Sequence, residues 1–228
     1  MTADAVVRGV LFDLDGTLLD TAPDLVAAVN YTLEQATLPR CPASLLTPLI
    51  SHGAAAMLGR GLGTHRERLD ELLDGTLNFY ESHVAVQTRF FEGIETLLSE
   101  LDRMSMPWGV VTNKLTRFTQ PLLAAFGLNG RAHCVISGDT TARRKPDPLP
   151  LLEAARRLAL TPTKCLFVGD ARTGMEAGRR ASMRTLAAVY GYLATEDSPE
   201  DWPADGLIRH PSMLLDWLGK GALPARGG

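Results

Sequence analysis

Residues 6–12 read Val-Val-Arg-Gly-Val-Leu-Phe and stop abruptly at Asp13-Leu14-Asp15-Gly16-Thr17. A short apolar run rich in β-branched residues, with no alternation, predicts a strand buried on both faces. Such strands belong to parallel sheets with helices on either side. Similar runs follow at Trp108–Val111, Cys134–Ile136, Cys165–Val168 and Thr185–Tyr190. Helical spacing separates them. Ile94, Leu97, Leu98, Leu101 and Met104 share one face, a helix begins near Thr116 and continues through Pro121 to Phe126, and another covers Leu149 to Leu158. Pro146 and Pro148 suit its first turn, where a missing N–H costs nothing. Met213 to Leu218 forms the last helix, after His210-Pro211. Strands alternating with helices of this length predict an α/β fold, a Rossmann-like parallel sheet sandwiched by helices.

The first two strands are separated by residues 13–107, far more than a crossover needs. That gap carries helical stripes. Thr21 and Asp24 have capping-box spacing, and Leu25, Ala28, Val29, Thr32 and Leu33 share a face. Leu69, Leu72, Leu73, Leu77, Tyr80 and Val84 make a second stripe, with a short helix at Ser51–Leu58 between the two. The expected organisation is a core of residues 1–19 and 88–228 with an all-helical insert at 20–87. Gly221–Gly228 reads as a frayed tail.

Charge and cysteine usage exclude several classes. Lys and Arg total 23 against 26 Asp and Glu, a net charge of −3, so no basic excess is available for nucleic acid. Cys41, Cys134 and Cys165 are odd in number and widely spaced, which fits a reducing cytoplasm better than a disulfide framework or zinc site. Met1–Ala5 lacks the basic start of a signal peptide, and no apolar run is long enough to span a membrane. A monomer or homodimer is expected.

In an open parallel sheet the ligand sits at the carboxyl ends of the strands. Asp13 and Asp15 follow the first strand, Thr112 and Asn113 the second, Lys145 the third, and Gly169-Asp170 the fourth. Two nearby carboxylates repel unless a cation intervenes. Magnesium meets that need while keeping waters and room for a substrate phosphate. Lys145 and the Thr112 hydroxyl can then neutralise phosphate oxygens, so that a carboxylate can approach phosphorus.

These motifs, D-L-D-G-T (Asp13–Thr17), V-V-T-N-K (Val110–Lys114), K-P-D-P (Lys145–Pro148) and F-V-G-D (Phe167–Asp170), resemble those of the haloacid dehalogenase superfamily, specifically its phosphatases with a helical cap. The resemblance implies a magnesium-dependent phosphatase of a small phosphorylated metabolite. Asp13 would be the nucleophile that forms an aspartyl-phosphate. Asp15 would be the general acid and then base, with its backbone carbonyl on the metal. Thr112, Asn113 and Lys145 would hold phosphate, and Asp13, Asp15 and Asp170 would hold Mg2+. The layout resembles the phosphoglycolate phosphatase branch. Tyr190-Gly191-Tyr192, Glu196-Asp197, Trp202, Ala204-Asp205 and His210-Pro211 are also similar to the N-acetylmuramic acid 6-phosphate phosphatase branch, although Ala55 stands where that branch carries an Arg. A further departure is Gly174, where relatives carry a second acid; Glu176 lies two residues on. Weaker magnesium binding is expected from this.

Outside the motifs, His52 at a helix start and Arg117 beside V-T-N-K are candidate substrate contacts. Gly59-Arg60-Gly61-Leu62-Gly63 follows a helix rather than a strand, so it reads as a helix end and not a phosphate loop. His65, His83, His133 and His210 lack metal spacing. The alternatives are a phosphomutase using the same intermediate, or a catalytically weak relative that binds without turnover. The long insert argues against a signalling receiver module.

Overall fold

The structure is a computed structural model and describes residues 6–194 and 197–219. Met1–Ala5, Glu196 and Gly221–Gly228, which entered the sequence reading, lie outside the described residues. In chain order the elements are β1 (Gly9–Phe12), β2 (Leu19–Asp20), α1 (Ala22–Gln35), α2 (Ala43–Leu46), α3 (Ala54–Leu62), α4 (Leu69–Ser82), β3 (Arg89–Phe90), α5 (Ile94–Arg103), β4 (Trp108–Val111), α6 (Thr116–Ala125), β5 (Cys134–Ile136), α7 (Leu149–Arg157), β6 (Cys165–Gly169), α8 (Arg172–Arg180), β7 (Arg184–Ala188), β8 (Gly206–Ile208) and α9 (Met213–Gly219).

Six strands form one sheet in the order β5-β4-β1-β6-β7-β8, with every pairing parallel. β1 is central, and Phe12 faces Val110 on one side and Val168 on the other. All four β1 residues are buried, as an uninterrupted apolar run requires. Alternate residues enter opposite layers. Val10 and Phe12 join Trp108, Val110 and Val168 on one face, while Leu11 joins Val111, Ile136 and Phe167 on the other.

The order reverses around β1, because the chain runs outward through β4 and β5 and then crosses to β6. The carboxyl ends of β1, β4 and β6 therefore meet at the switch point where parallel sheets bind ligands.

The structure adds two features to the sequence reading. β8 is a sixth sheet strand of three residues. β2 and β3 form a separate antiparallel ribbon, pairing Leu19 with Phe90 and Asp20 with Arg89. β2 and β3 have two residues each and β8 opens on Gly206, so none presents an uninterrupted apolar run of the kind that marks β5.

Helices α1 to α4 lie between β2 and β3. Their apolar stripes meet in a third cluster, which holds Leu25, Val29, Leu33, Met57, Leu58 and Tyr80 and takes in Phe118 and Tyr192 from outside the insert. Two local expectations are corrected. Thr21 makes no side-chain cap on α1; its hydroxyl donates to Asp15 instead. The predicted short helix at 51–58 is split by Gly53, whose φ of +87° separates a 3-10 turn (Thr47–His52) from α3. Gly59 and Gly61 lie inside α3, and Gly63 ends it, so the glycine run is a helix end as expected.

Candidate active site

Asp13 follows β1 directly and extends its pairing by donating its backbone N–H to Val168 O (2.8 Å). Its Oδ1 accepts the Leu14 N–H at 2.8 Å, and its Oδ2 accepts from Lys145 Nζ at 2.6 Å. Lys145 also donates to Val111 O at 2.8 Å and sits 5.0 Å from the Phe167 ring centroid. Its side chain is 2 % exposed, so its charge is directed at Asp13 rather than dissipated in water.

Lys145 comes from the loop between β5 and α7. What holds that loop is Asn113. Its Nδ2 donates to Lys145 O and its Oδ1 accepts the Lys145 N–H, both at 3.0 Å. Asn113, expected to meet phosphate, lines the cavity but uses its Oδ1 and one Nδ2 proton on the Lys145 backbone. Thr112 is buried, and its Oγ1 accepts the Lys114 N–H at 3.2 Å, which leaves its proton to donate elsewhere.

Asp15 accepts two bonds on Oδ1, from Lys114 Nζ at 2.8 Å and from Thr21 Oγ1 at 2.6 Å. Lys114 belongs to the V-T-N-K motif, but the sequence reading gave it no role. Burial opposes its charge, yet the adjacent Asp15 carboxylate and Tyr80 outweigh that and hold its pKa above the ordinary lysine value. The signal that could have found it was its place after the second strand, opposite two carboxylates.

Gly16 has φ +75°, and a Cβ there would fall 1.8 Å from Asp170 Oδ2. The turn after β1 therefore needs glycine twice over, for its conformation and for the carboxylate behind it. Asp170 is 1 % exposed; its Oδ2 accepts the Tyr192 N–H at 3.0 Å and its Oδ1 accepts from Thr17 Oγ1 at 3.4 Å. Burial first, and then the charge of Asp13, push its pKa up to about 8. A buried carboxylate raised by a neighbouring carboxylate is a donor set suited to a hard cation. Among the described residues no group of three or more His, Cys, Asp or Glu side chains could hold a metal by itself. Magnesium needs only one or two carboxylates beside waters and a substrate phosphate, so Asp13 and Asp170 fit it.

Gly174 lies on α8 against the underside of the site. A Cβ there would meet Phe167 Cε1 at 2.8 Å, so the Phe167 ring, stacked under Lys145, fills the space that a side chain at 174 would need. Glu176 points elsewhere, pairing with Arg172 at 3.2 Å and Arg180 at 3.4 Å.

Asp13, Asp15, Thr112, Lys114, Arg144 and Lys145 line one side of a cavity of about 370 Å3. Leu25, Val29, Ile50, Met57, Leu73 and Leu77 line the other, with Ser51, His52, Ala55, Thr76 and Tyr80 among them. Arg117 is not part of this lining. It pairs with Glu81 at 3.5 Å and stacks on Phe118.

A model of the haloacid dehalogenase-like hydrolases matches residues 10–188. The chain belongs to that family. It is 39% identical over 214 residues to N-acetylmuramic acid 6-phosphate phosphatase of Pseudomonas aeruginosa, covering 93% of this chain and 95% of that one. It is 41% identical over 211 residues to phosphoglycolate phosphatase of Xanthomonas campestris pv. campestris, covering 92% and 95%. Among solved structures, a predicted phosphoglycolate phosphatase from Haemophilus somnus superposes with a TM-score of 0.84 at 24% identity, covering 92% of this chain and 97% of that one. CbbY from Rhodobacter sphaeroides, solved with phosphate, superposes with a TM-score of 0.76 at 22% identity, covering 94% and 100%. The haloacid dehalogenase-like fold is thus shared over nearly the whole chain.

Proposed function

We propose that this chain, a phosphatase of the haloacid dehalogenase-like family, hydrolyses a small phosphate monoester through a phosphoryl group carried on Asp13. The substrate class is phosphoglycolate or a sugar phosphate. The observation that carries this reading is the Asp13–Lys145 pair at 2.6 Å, in one cavity with Asp15 and Thr112. Lys145 and Thr112 draw the phosphoryl oxygens toward Asp13, which attacks phosphorus as the ester P–O bond breaks. Asp15 gives its proton to the departing alkoxide. Asp15 then takes a proton from a water that attacks the same phosphorus, and this releases inorganic phosphate and regenerates Asp13. The Asp13 and Asp170 carboxylates and the Asp15 backbone carbonyl would hold magnesium. When bound, the ion supplies positive charge that screens the phosphoryl oxygens.

The insert, residues 20–87, acts in this reading as a cap. Its apolar wall excludes bulk water, and His52, Ser51 and Ala55 lie where they would meet the leaving group. Three buried free cysteines fit a reducing cytoplasm, and no described helix is long and apolar enough to cross a membrane.

The test is phosphate release with Mg2+ from phosphoglycolate, hexose phosphates and N-acetylmuramic acid 6-phosphate. Turnover of one of them, abolished by a chelator and restored by Mg2+, supports the reading. Transfer within a sugar phosphate without phosphate release would make the chain a mutase. No turnover by folded protein would make it a binding relative.

A further inference from the structure

The cavity has a charged floor at the sheet edge and a roof drawn from residues 20–87. On the floor each ammonium already faces a carboxylate, Lys145 at 2.6 Å from Asp13 and Lys114 at 2.8 Å from Asp15. Arg144 is exposed, and its Nε donates at 2.7 Å to Gly138 O, which is not part of the lining. Among the described residues the roof brings no Lys or Arg; its ionisable base is His52, exposed at the end of the turn Thr47–His52. Two of the roof's four polar side chains have partners within the protein. Thr76 Oγ1 donates to Thr32 Oγ1 at 2.8 Å, and the Tyr80 ring faces the Lys114 ammonium at 4.7 Å. Ser51 and His52, adjacent in the chain, are the other two. The side chains of the wall are otherwise hydrocarbon, chiefly Leu25, Val29, Ile50, Met57, Leu73 and Leu77.

That wall selects by charge. A carboxylate placed against it gives up its water and gains no cation, and an ionised group buried unpaired is strongly disfavoured. Hydrocarbon placed there gains where the carboxylate loses, because removing apolar surface from water is favourable. We propose that the alcohol released from this site is uncharged and turns a hydrocarbon face to the roof, with Ser51 and His52 left to meet its hydroxyls. Of the two substrate classes named above, a sugar phosphate fits that description. Phosphoglycolate, whose alcohol carries a carboxylate, does not. The inference rests on the phosphatase reading above and adds to it the chemistry of the leaving group.

The test is kcat/KM with Mg2+ on ethyl, propyl, butyl and pentyl phosphates, whose alcohols differ little in acidity. Isobutyl phosphate and phosphoglycolate, similar in shape and different in charge, are measured beside them. Each added methylene should raise kcat/KM by up to about fourfold, the rate equivalent of burying one CH2 group. Phosphoglycolate should fall about tenfold or more below isobutyl phosphate. Leu77→Gln, which puts an amide into the hydrocarbon wall, should flatten the rise along the series. It is read on protein whose melting curve shows that it is folded, and if it does not fold the wild-type series is the test by itself. A flat or falling wild-type series, phosphoglycolate turned over as well as isobutyl phosphate, or an unchanged slope in folded Leu77→Gln would each overturn the inference. A lead for phosphoglycolate that His52→Gln or Arg144→Gln removes would overturn it too, by assigning a carboxylate site to that base. A wild type inactive on every ester, p-nitrophenyl phosphate included, would instead overturn the phosphatase reading on which it stands.

Discussion

Asp13 and Asp15 are separated by a single residue yet hold different partners, and that difference defines their chemistry. Asp13 is held by Lys145 and the Leu14 N–H, with the cavity before it. Asp13→Asn should lower turnover by about 10⁴-fold or more, the order seen when a covalent nucleophile is lost, and should remove any phosphorylated protein detectable by mass spectrometry. Asp15→Asn should cost about 10²–10⁴-fold, the range of general acid–base catalysis, while phosphorylation of Asp13 by an activated aryl ester persists. Asp170 makes a separate prediction. Mg2+ should raise the melting temperature of the wild type by binding the folded form, worth about 2.7 kcal/mol at 100 times Kd. Asp170→Asn should lose that Mg2+-dependent rise, which differential scanning calorimetry would read.

Local element geometry sets who can stand where. The carboxylate of Asp24, in the first turn of α1, ties Gln87 and Thr88 to that helix. Asp24→Ala leaves two backbone N–H groups without it and should cost about 3 kcal/mol of stability in urea unfolding. On α8, Gly174 is backed by Phe167. Gly174→Asp therefore does not simply add a metal ligand; it forces the ring that supports Lys145 to move, at about 1–3 kcal/mol, the cost of overpacking. The useful comparison is Gly174→Asp with Phe167→Leu, which makes room. If the missing acid is what limits magnesium affinity, the double variant should titrate with Mg2+ at a lower midpoint than Phe167→Leu alone. An unchanged midpoint would show that Gly174 does not set the affinity.

Across the whole molecule, the cavity takes its two sides from different parts of the chain. The sheet edge contributes the charged floor of the cavity, and the helices between β2 and β3 contribute an apolar roof. Both crossings to those helices pass through the β2–β3 ribbon, where Arg89 pairs with Asp20 at 3.3 Å.

The strands β1, β4, β5, β6 and β7, the helical stripes, and the order of D-L-D-G-T, V-V-T-N-K, K-P-D-P and F-V-G-D were legible in the sequence. Each is a local pattern, set by burial over a few neighbouring residues. The partners of those motif residues were not. Lys114 meets Asp15 across 99 positions and Lys145 meets Asp13 across 132, while Asn113 clamps Lys145, Thr21 serves Asp15 instead of capping α1, and Phe167 fills the space beside Gly174. Residue type states what a side chain can donate or accept. Which of several equivalent acceptors it reaches depends on how separate strands and helices pack, and only the tertiary structure decides that.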